Sequence, residues 1–426
     1  MNRSLLLGLL IYGLVLAGIG TVHGEFIALA LPFVAYLFMG YLMAPEKIML
    51  EATRHLSVER VSPTSNVDVT VTVTNLGSSL EEILLEDRLP AGLSVHSGFN
   101  RHLLRLKKNE SFTFAYTVSG QRGAYVFDAV EASVRDHLAV SSSRVWVEAK
   151  GRLFVLPPVT RIRQVAIRPR RTRVYAGTIP ARAGGAGTDF FGVREYQPGD
   201  PPSAINWRTS ARHIDKVYAN EFQQERVADV GIVLDGRLRT NEFSGGHSLF
   251  EYSVQAAASL ADALLMQGNR VGLLVYASYL RWTFPGYGKI QRERILHALA
   301  NAKTGESQVF ADLVHLPARL FPPESQIVLV SPLSEDDLLP LVQLRAQGYE
   351  VMVVSPNPVQ FELSFLPPHE SNDLAGRVVR MERTLLLQRM RRAGIHVLDW
   401  DVTEPFDLFV KRSMGRTPFW LRAVGR

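Results

Sequence analysis

The chain has no cysteine anywhere in its 426 residues. That excludes a disulfide framework, thiolate metal sites and cysteine nucleophiles. It suits a reducing compartment, although large secreted domains also lack cysteine. The short motifs of several common chemistries are missing too: there is no P-loop, no H-E-x-x-H, no G-x-S-x-G and no dinucleotide fingerprint. Neither sign of charge dominates, since 47 Lys plus Arg against 41 Asp plus Glu leave a net +6. No nucleic-acid reader motif accompanies that modest excess, so nucleic acid is not an expected partner. What the chain does have is apolar content, 46% of residues, on a length sufficient for two or three domains.

The apolar excess is concentrated at the N-terminus. Residues 4–22 and 26–44 are uncharged runs separated by His23-Gly24-Glu25, with Pro32 in the second. Their length predicts a transmembrane helical hairpin over residues 1–45, in contact with the lipid bilayer. Arg3 precedes the first run, and Lys47, Arg54 and Arg60 follow the second. Basic flanks place both termini and the following domains in the cytoplasm, as a two-pass protein of the cytoplasmic membrane. The alternative is a cleaved signal peptide, with Arg3 as its basic end and cleavage near residues 17–20.

Residues 55–157 read as β structure. Val67, Val69, Val71 and Val73 alternate with Asp68, Thr70, Thr72 and Thr74, the pattern of a half-buried strand, and Asn75-Leu76-Gly77 supplies a turn. Further strand-like runs at 82–88, 112–118, 124–134, 144–149 and 152–156, with no helix-period segment among them, predict an all-β immunoglobulin-like sandwich that binds or spaces. His96, His102 and His137 are scattered through strands and loops, a pattern of solvated histidines more than of metal ligands.

Residues 158–228 read as an Arg-rich linker. Seven arginines (Arg161, Arg163, Arg168, Arg170, Arg171, Arg173 and Arg182) occur there with no acidic residue before 183. Three readings stand: a solvated connector, contact with anionic lipid through Arg161–Arg182, or an acidic protein partner. From 229 to 426 apolar strands alternate with helices: strands at 230–234, 270–276, 326–330, 351–354 and 395–398, helices at 249–266, 290–300, 338–346 and 385–392. That alternation predicts a doubly wound α/β domain with a mostly parallel sheet, whose ligands would sit at the carboxyl ends of the strands.

The densest stretch is 187–212, GTDFFGVREYQPGDPPSAINWRTSAR, which brings together Gly187, Phe190, Arg194, Tyr196, Gly199, Asp200, Trp207, Ser210 and Arg212. Gly199-Asp200-Pro201-Pro202 is a turn with two fixed φ angles. Arginines at 194, 208 and 212 surround Asp200, so a charge-assisted bond is expected, and Trp207 offers an apolar anchor. The stretch reads as a rigid clasp leading into the α/β domain, or else as a docking surface. Its layout, G-x-[DE]-F-x-x-x-R-x-Y-x-x-G-D followed by I-x-W-x-x-[ST]-A-R, resembles the signature of domain-of-unknown-function family 58. In that family it precedes a von Willebrand factor A-like domain. This chain has Pro202, Ser203 and Ala204 where family members often carry basic residues, and Asn206 where Asp is common.

The resemblance implies a metal site at the end of the first α/β strand, reading D-x-S-x-S. Here the loop is Asp235-Gly236-Arg237-Leu238-Arg239, and Pro332 stands after a later strand where an acid is expected. Guanidinium groups donate hydrogen bonds and cannot ligate a cation, so neither a metal nor another cofactor is expected. Arg237 and Arg239 then become candidates for contact with an acidic partner. The resemblance also implies a MoxR-type AAA+ ATPase as partner. The resulting expectation is a membrane-anchored, non-catalytic interaction or scaffold protein working in assembly or maturation of protein complexes. The alternative is an enzyme or a metal-dependent adhesion-type binder using Asp235.

Overall fold

The computed structural model describes residues 3–42, 48–63, 65–135, 142–163, 165–167, 172–213, 215–307, 310, 312–367 and 369–414. They form two units, Met1–Leu156 and Pro157–Arg426.

The first unit begins with two helices, α1 (Arg3–Thr21) and α2 (Gly24–Leu42), packed together across a tight turn in which Val22 takes φ +56°. Among the described residues, no helix is long and apolar enough to cross a membrane. Each has 19 residues, with Arg3 inside α1 and Glu25 inside α2, so the uncharged stretch of each is shorter than the helix. This overturns the expected transmembrane hairpin, and with it the two-pass location at the cytoplasmic membrane. Positions 43 and 44 of the expected second span, and Lys47, lie outside the described residues. Leu5, Leu9, Tyr12, Leu16 and Ile19 of α1 are exposed.

Nine strands follow: β1 (Leu50–Leu56), β2 (Arg60–Val61), β3 (Val67–Asn75), β4 (Leu80–Asp87), β5 (Leu93–Gly98), β6 (Arg101–Leu106), β7 (Ser111–Gly120), β8 (Gly123–Arg135) and β9 (Ser142–Val155). They make a four-stranded sheet in the order β1-β3-β7-β5 and a five-stranded sheet in the order β2-β9-β8-β4-β6. Alternation does the folding here: Val67, Val69, Val71 and Val73 are buried while Thr72 turns outward, its hydroxyl 2.9 Å from that of Thr113 on β7. The buried faces of both sheets share one core, with Val69, Val71, Tyr116, Ile83, Leu85 and Phe127 among its members. Asp87 is among the polar residues buried in this unit. The Asp87 carboxylate of β4 takes a hydrogen bond from Tyr116 on β7 (2.5 Å) and pairs with Arg54 on β1. Burial, then the Asp87 charge, raises the Tyr116 phenol far above its ordinary value. Arg54, read from sequence as a membrane flank, instead joins the two sheets. His137 lies outside the described residues.

In the second unit, β10 (Thr172–Glu195) and β11 (Tyr218–Asp235) form a long antiparallel ladder with several register shifts. The stretch read as a linker is therefore largely strand. Between them lies the short helix α3 (Trp207–Ser210). Then come a small hairpin of β12 (Phe243–Ser244) and β13 (His247–Ser248), the helix α4 (Leu249–Met266), β14 (Arg270–Tyr276), β15 (Leu280–Gly286) and α5 (Gly288–Ala300). The chain continues through β16 (Gln326–Val330), α6 (Leu338–Ala346), β17 (Glu350–Pro356), α7 (Pro358–Leu363), α8 (Glu370–Arg392), β18 (His396–Trp400) and α9 (Phe406–Met414). The helix expected at 385–392 begins much earlier, at Glu370.

The sheet order is β15-β14-β11-β16-β17-β18, with β10 paired to the first half of β11. Strands β14, β11, β16, β17 and β18 are parallel, and β15 is an antiparallel edge. The run Val230–Leu234 is apolar on both faces because helices or loops cover both, as parallel strands require. Gly231 permits one such contact, since a Cβ there would lie 2.3 Å from the Phe321 ring. In chain order the parallel strands run 2-1-3-4-5. The order reverses between β11 and β16, so their carboxyl ends flank the crevice where sheets of this kind bind ligands.

Candidate functional site

The chain leaves β11 at Asp235, in that crevice. Gly236 follows, hydrogen-bonded to the Tyr276 carbonyl at 2.7 Å, and its missing side chain matters: a Cβ would meet Ala277 Cβ at 3.0 Å and the Lys303 carbonyl at 3.3 Å. The squeeze directs Arg237 back into the crevice, where it is 2% exposed between Asp235 and Asp337, both 0% exposed. Its Nε and Nη2 donate to the two Asp235 oxygens at 2.9 and 2.8 Å. Its Nη1 and Nη2 donate to the two Asp337 oxygens at 2.8 and 2.9 Å. One guanidinium therefore makes two bidentate pairs.

The carboxylates take further hydrogen bonds. Asp235 Oδ2 takes the Ser331 hydroxyl at 2.6 Å and lies 3.1 Å from the Thr240 hydroxyl, while its Oδ1 takes the Arg237 backbone N–H at 3.0 Å. Asp337 Oδ2 takes the Ser334 N–H at 2.8 Å. Ser331 in turn accepts from the Leu333 N–H at 3.1 Å, and Leu333 holds φ +68°, an unfavourable conformation for a branched side chain. Burial would weaken the hold of Arg237 on its proton, but the two carboxylates outweigh it and raise the guanidinium above its ordinary value. Two negative charges and one positive leave the cluster net negative, spread over hydroxyls and backbone N–H groups.

A second buried arginine continues the line. Arg383 of α8 donates to Asp399 Oδ1 at the end of β18 through Nε (3.1 Å) and Nη2 (2.7 Å), to the Pro332 carbonyl (3.0 Å) and to Ser355 Oγ at the end of β17 (2.9 Å). Together Arg237 and Arg383 fasten the carboxyl ends of four parallel strands.

This geometry corrects one sequence expectation directly. Arg237 is not presented to a partner; its charge is spent inside the protein. Arg239 behaves otherwise: it is exposed, 3.4 Å from the exposed Asp336. Asp337, read only as a helix-start carboxylate, and Arg383, not singled out at all, are the residues that sequence reading missed. The carboxylates of Asp235 and Asp337 converge on a guanidinium, and the Ser331 and Thr240 hydroxyls are turned to Asp235, so the donor set as it stands does not fit a divalent cation. Among the described residues no group of three or more His, Asp or Glu is gathered as a metal site.

The signature stretch closes the open end of the β10–β11 ladder. Arg194 makes a bidentate pair with Asp200, at 2.8 and 2.7 Å, and its Nε lies 3.6 Å from Glu221. Asp200 also accepts from the Gln197 N–H at 2.9 Å, and its carbonyl accepts from the Tyr196 hydroxyl at 2.8 Å. The turn needs Gly199 at φ +108°. Arg194, ahead of the Gln197 N–H, lowers the Asp200 carboxyl below its ordinary value. Asn206 caps α3 by accepting from the Thr209 N–H at 3.0 Å and reaches Asn220 at 2.8 Å, while Ser210 Oγ accepts from the Tyr218 N–H at 2.9 Å. Arg194, Tyr196, Gly199, Asp200 and Ser210 are thus brought into the joint. Trp207, at 71% exposed, and Phe190, at 60%, are not buried anchors. Arg212 is exposed and contributes a backbone bond to Thr209, and Gly187 lies within β10. Of the basic segment, Arg161 and Arg163 are exposed, whereas Arg168, Arg170 and Arg171 lie outside the described residues.

Comparison with known proteins adds a family pattern. An uncharacterized protein, YeaD of Bacillus subtilis (strain 168), is 27% identical over 251 residues, 57% of this chain and 59% of that protein, so the match spans under two thirds of the relative. Among solved structures, the CARDB domain of the PF1109 protein from Pyrococcus furiosus, solved in complex with di-metal ions, is similar at 16% identity over 26% of this chain and 90% of that one, with a TM-score of 0.18. Proximal thread matrix protein 1 from the mussel byssus aligns over 44% of this chain and 46% of its own, at 13% identity and a TM-score of 0.25. Residues 192–373, from the strand before the Arg194–Asp200 joint through the Arg237 crevice into α8, match the family described as Protein of unknown function DUF58.

Proposed function

We propose that the protein is a non-catalytic interaction or scaffold protein, whose second unit is a von Willebrand A-like module with an internal guanidinium in place of a cation. The carrying observation is Arg237, buried at the sheet's switch point with both carboxylates engaged. A catalytic crevice keeps a base, a nucleophile or a Lewis acid accessible to substrate. Here the Asp235 carboxylate is paired with Arg237, and Ser331 donates to it without a histidine to activate it. The enzyme and metal-dependent alternatives built on Asp235 both require Arg237 to leave, at the cost of exposing a buried ion pair.

Binding then falls to exposed surface. Trp207 is exposed at the start of α3, just after the turn closed by the Arg194–Asp200 pair, and exposed aromatics are among the residues that dominate interfaces. The partner implied by the family resemblance is a MoxR-type AAA+ ATPase, in assembly or maturation of protein complexes. The test is direct binding of the purified chain to such an ATPase from the same source, by calorimetry. Trp207→Ala is expected to weaken the complex at least about tenfold, roughly 1.4 kcal/mol, with the fold unchanged by circular dichroism. No measurable complex, or an unchanged affinity in the variant, overturns the assignment.

A further inference from the structure

Helix α8 has two apolar faces. One is buried in its own domain: Gly376, Arg383, Leu386, Leu387 and Met390 face inward. The opposite face carries Leu374, Val378, Met381 and Leu385, exposed by 64, 51, 68 and 52%. Their spacing is four, three and four residues, the a/d repeat of a coiled-coil seam and not the pattern of a solvated face. Taking Val378 and Leu385 as a positions puts Leu374 and Met381 at d. Arg377 then falls at g and Glu382 at e, both exposed. In a parallel pair of such helices, g of one faces the e five residues later on the other, and the interval from 377 to 382 is that interval. An antiparallel pair would oppose g to g and e to e, setting Arg377 against Thr384 and Ala375 against Glu382, with no opposite charges facing.

We propose that a second copy of this chain occupies the stripe: α8 pairs in parallel with the same helix of another copy, through Leu374, Val378, Met381 and Leu385. Two symmetry-related contacts between Arg377 and Glu382 of the partner subunit set the register. A branched a residue, Val378, beside Leu374 at d suits two strands. The two domains lie on opposite sides of the helix pair, because each buries the side of α8 away from the seam. Gln388 at the next d position ends it, so the seam spans about 16 Å. An interface of that size belongs with weak, transient ones, and the dimer forms at micromolar or higher concentration.

The absence of cysteine makes the test clean. In the full chain, Met381→Cys places a single thiol at a d position that meets its own symmetry mate only in the parallel pair. With diamide as oxidant, it is expected to give a covalent dimer, whereas Glu335→Cys, exposed elsewhere on the same unit, gives little. Sedimentation velocity supplies the second reading. Val378→Glu should remove self-association, and Arg377→Glu or Glu382→Arg alone should weaken it several-fold. The double charge reversal Arg377→Glu with Glu382→Arg should restore it. A wild-type chain monomeric at about 100 µM overturns the proposal. So does association untouched by Val378→Glu, or single reversals no weaker than the double one. All the positions changed are exposed, so circular dichroism should register a native fold in each variant.

Discussion

Arg237 is held by Asp235, two residues before it, and by Asp337, 100 residues after it. Removing one member of a buried ionic group strands the others, so Arg237→Met is expected to destabilise the second unit by about 3–5 kcal/mol, read from urea unfolding. A loss below about 1 kcal/mol would mean the pair is not buried in solution. Arg237→Lys should recover only part of the stability, because an ammonium cannot bridge two carboxylates bidentately. Sequence made half of this visible. Two arginines stand in the loop where hydroxyl ligands would be, yet the carboxylate that completes the site is distant in the chain and sits among three acids at a helix start, with nothing to mark Asp337 among them. Trp207 shows the opposite failure: a large aromatic in a dense motif reads as an anchor, and only its surroundings reveal that it is exposed. At the Arg194–Asp200 pair, the lowered carboxyl fixes a pH dependence. Its contribution is present above the ordinary carboxylate value near 4 and is lost as pH falls through the lower folded value. Titrating Asp200 by NMR should show a midpoint below the ordinary value, and Arg194→Gln should raise it toward that value, the Gln197 N–H still holding it partly down.

The elements differ in how openly the sequence declares them. Strands β3, β11 and β16 are legible because their side chains alternate or run apolar in step with one buried face or two. The β10 strand is not, since Gly184, Gly185, Gly187 and Pro180 are poor strand formers and the arginines read as solvated. It exists by pairing along β11. Helix α8 was legible only in its last two turns, where the buried face is apolar; farther toward its start the apolar residues face outward. Packing also imposes limits that composition hides. Gly231→Ala in the centre of β11 would drive a Cβ into Phe321, so a loss of about 1–3 kcal/mol and a lower melting temperature are expected. An unchanged melting temperature would show that the loop carrying Phe321 yields freely.

For the whole molecule, two units are each fastened by buried arginine–carboxylate groups: Arg54 with Asp87 in the sandwich, and Arg237 and Arg383 along the parallel sheet. The second unit has the strand order of a ligand-binding fold with its switch point filled from within, and it exposes large apolar side chains at Trp207 and along α8. The most direct test is titration of the wild-type chain with Mn2+ by calorimetry, with melting temperature followed in parallel. No saturable binding and no thermal shift are expected while Arg237 is in place. A one-to-one isotherm with a rise in melting temperature would place a cation where the guanidinium lies and contradict the account.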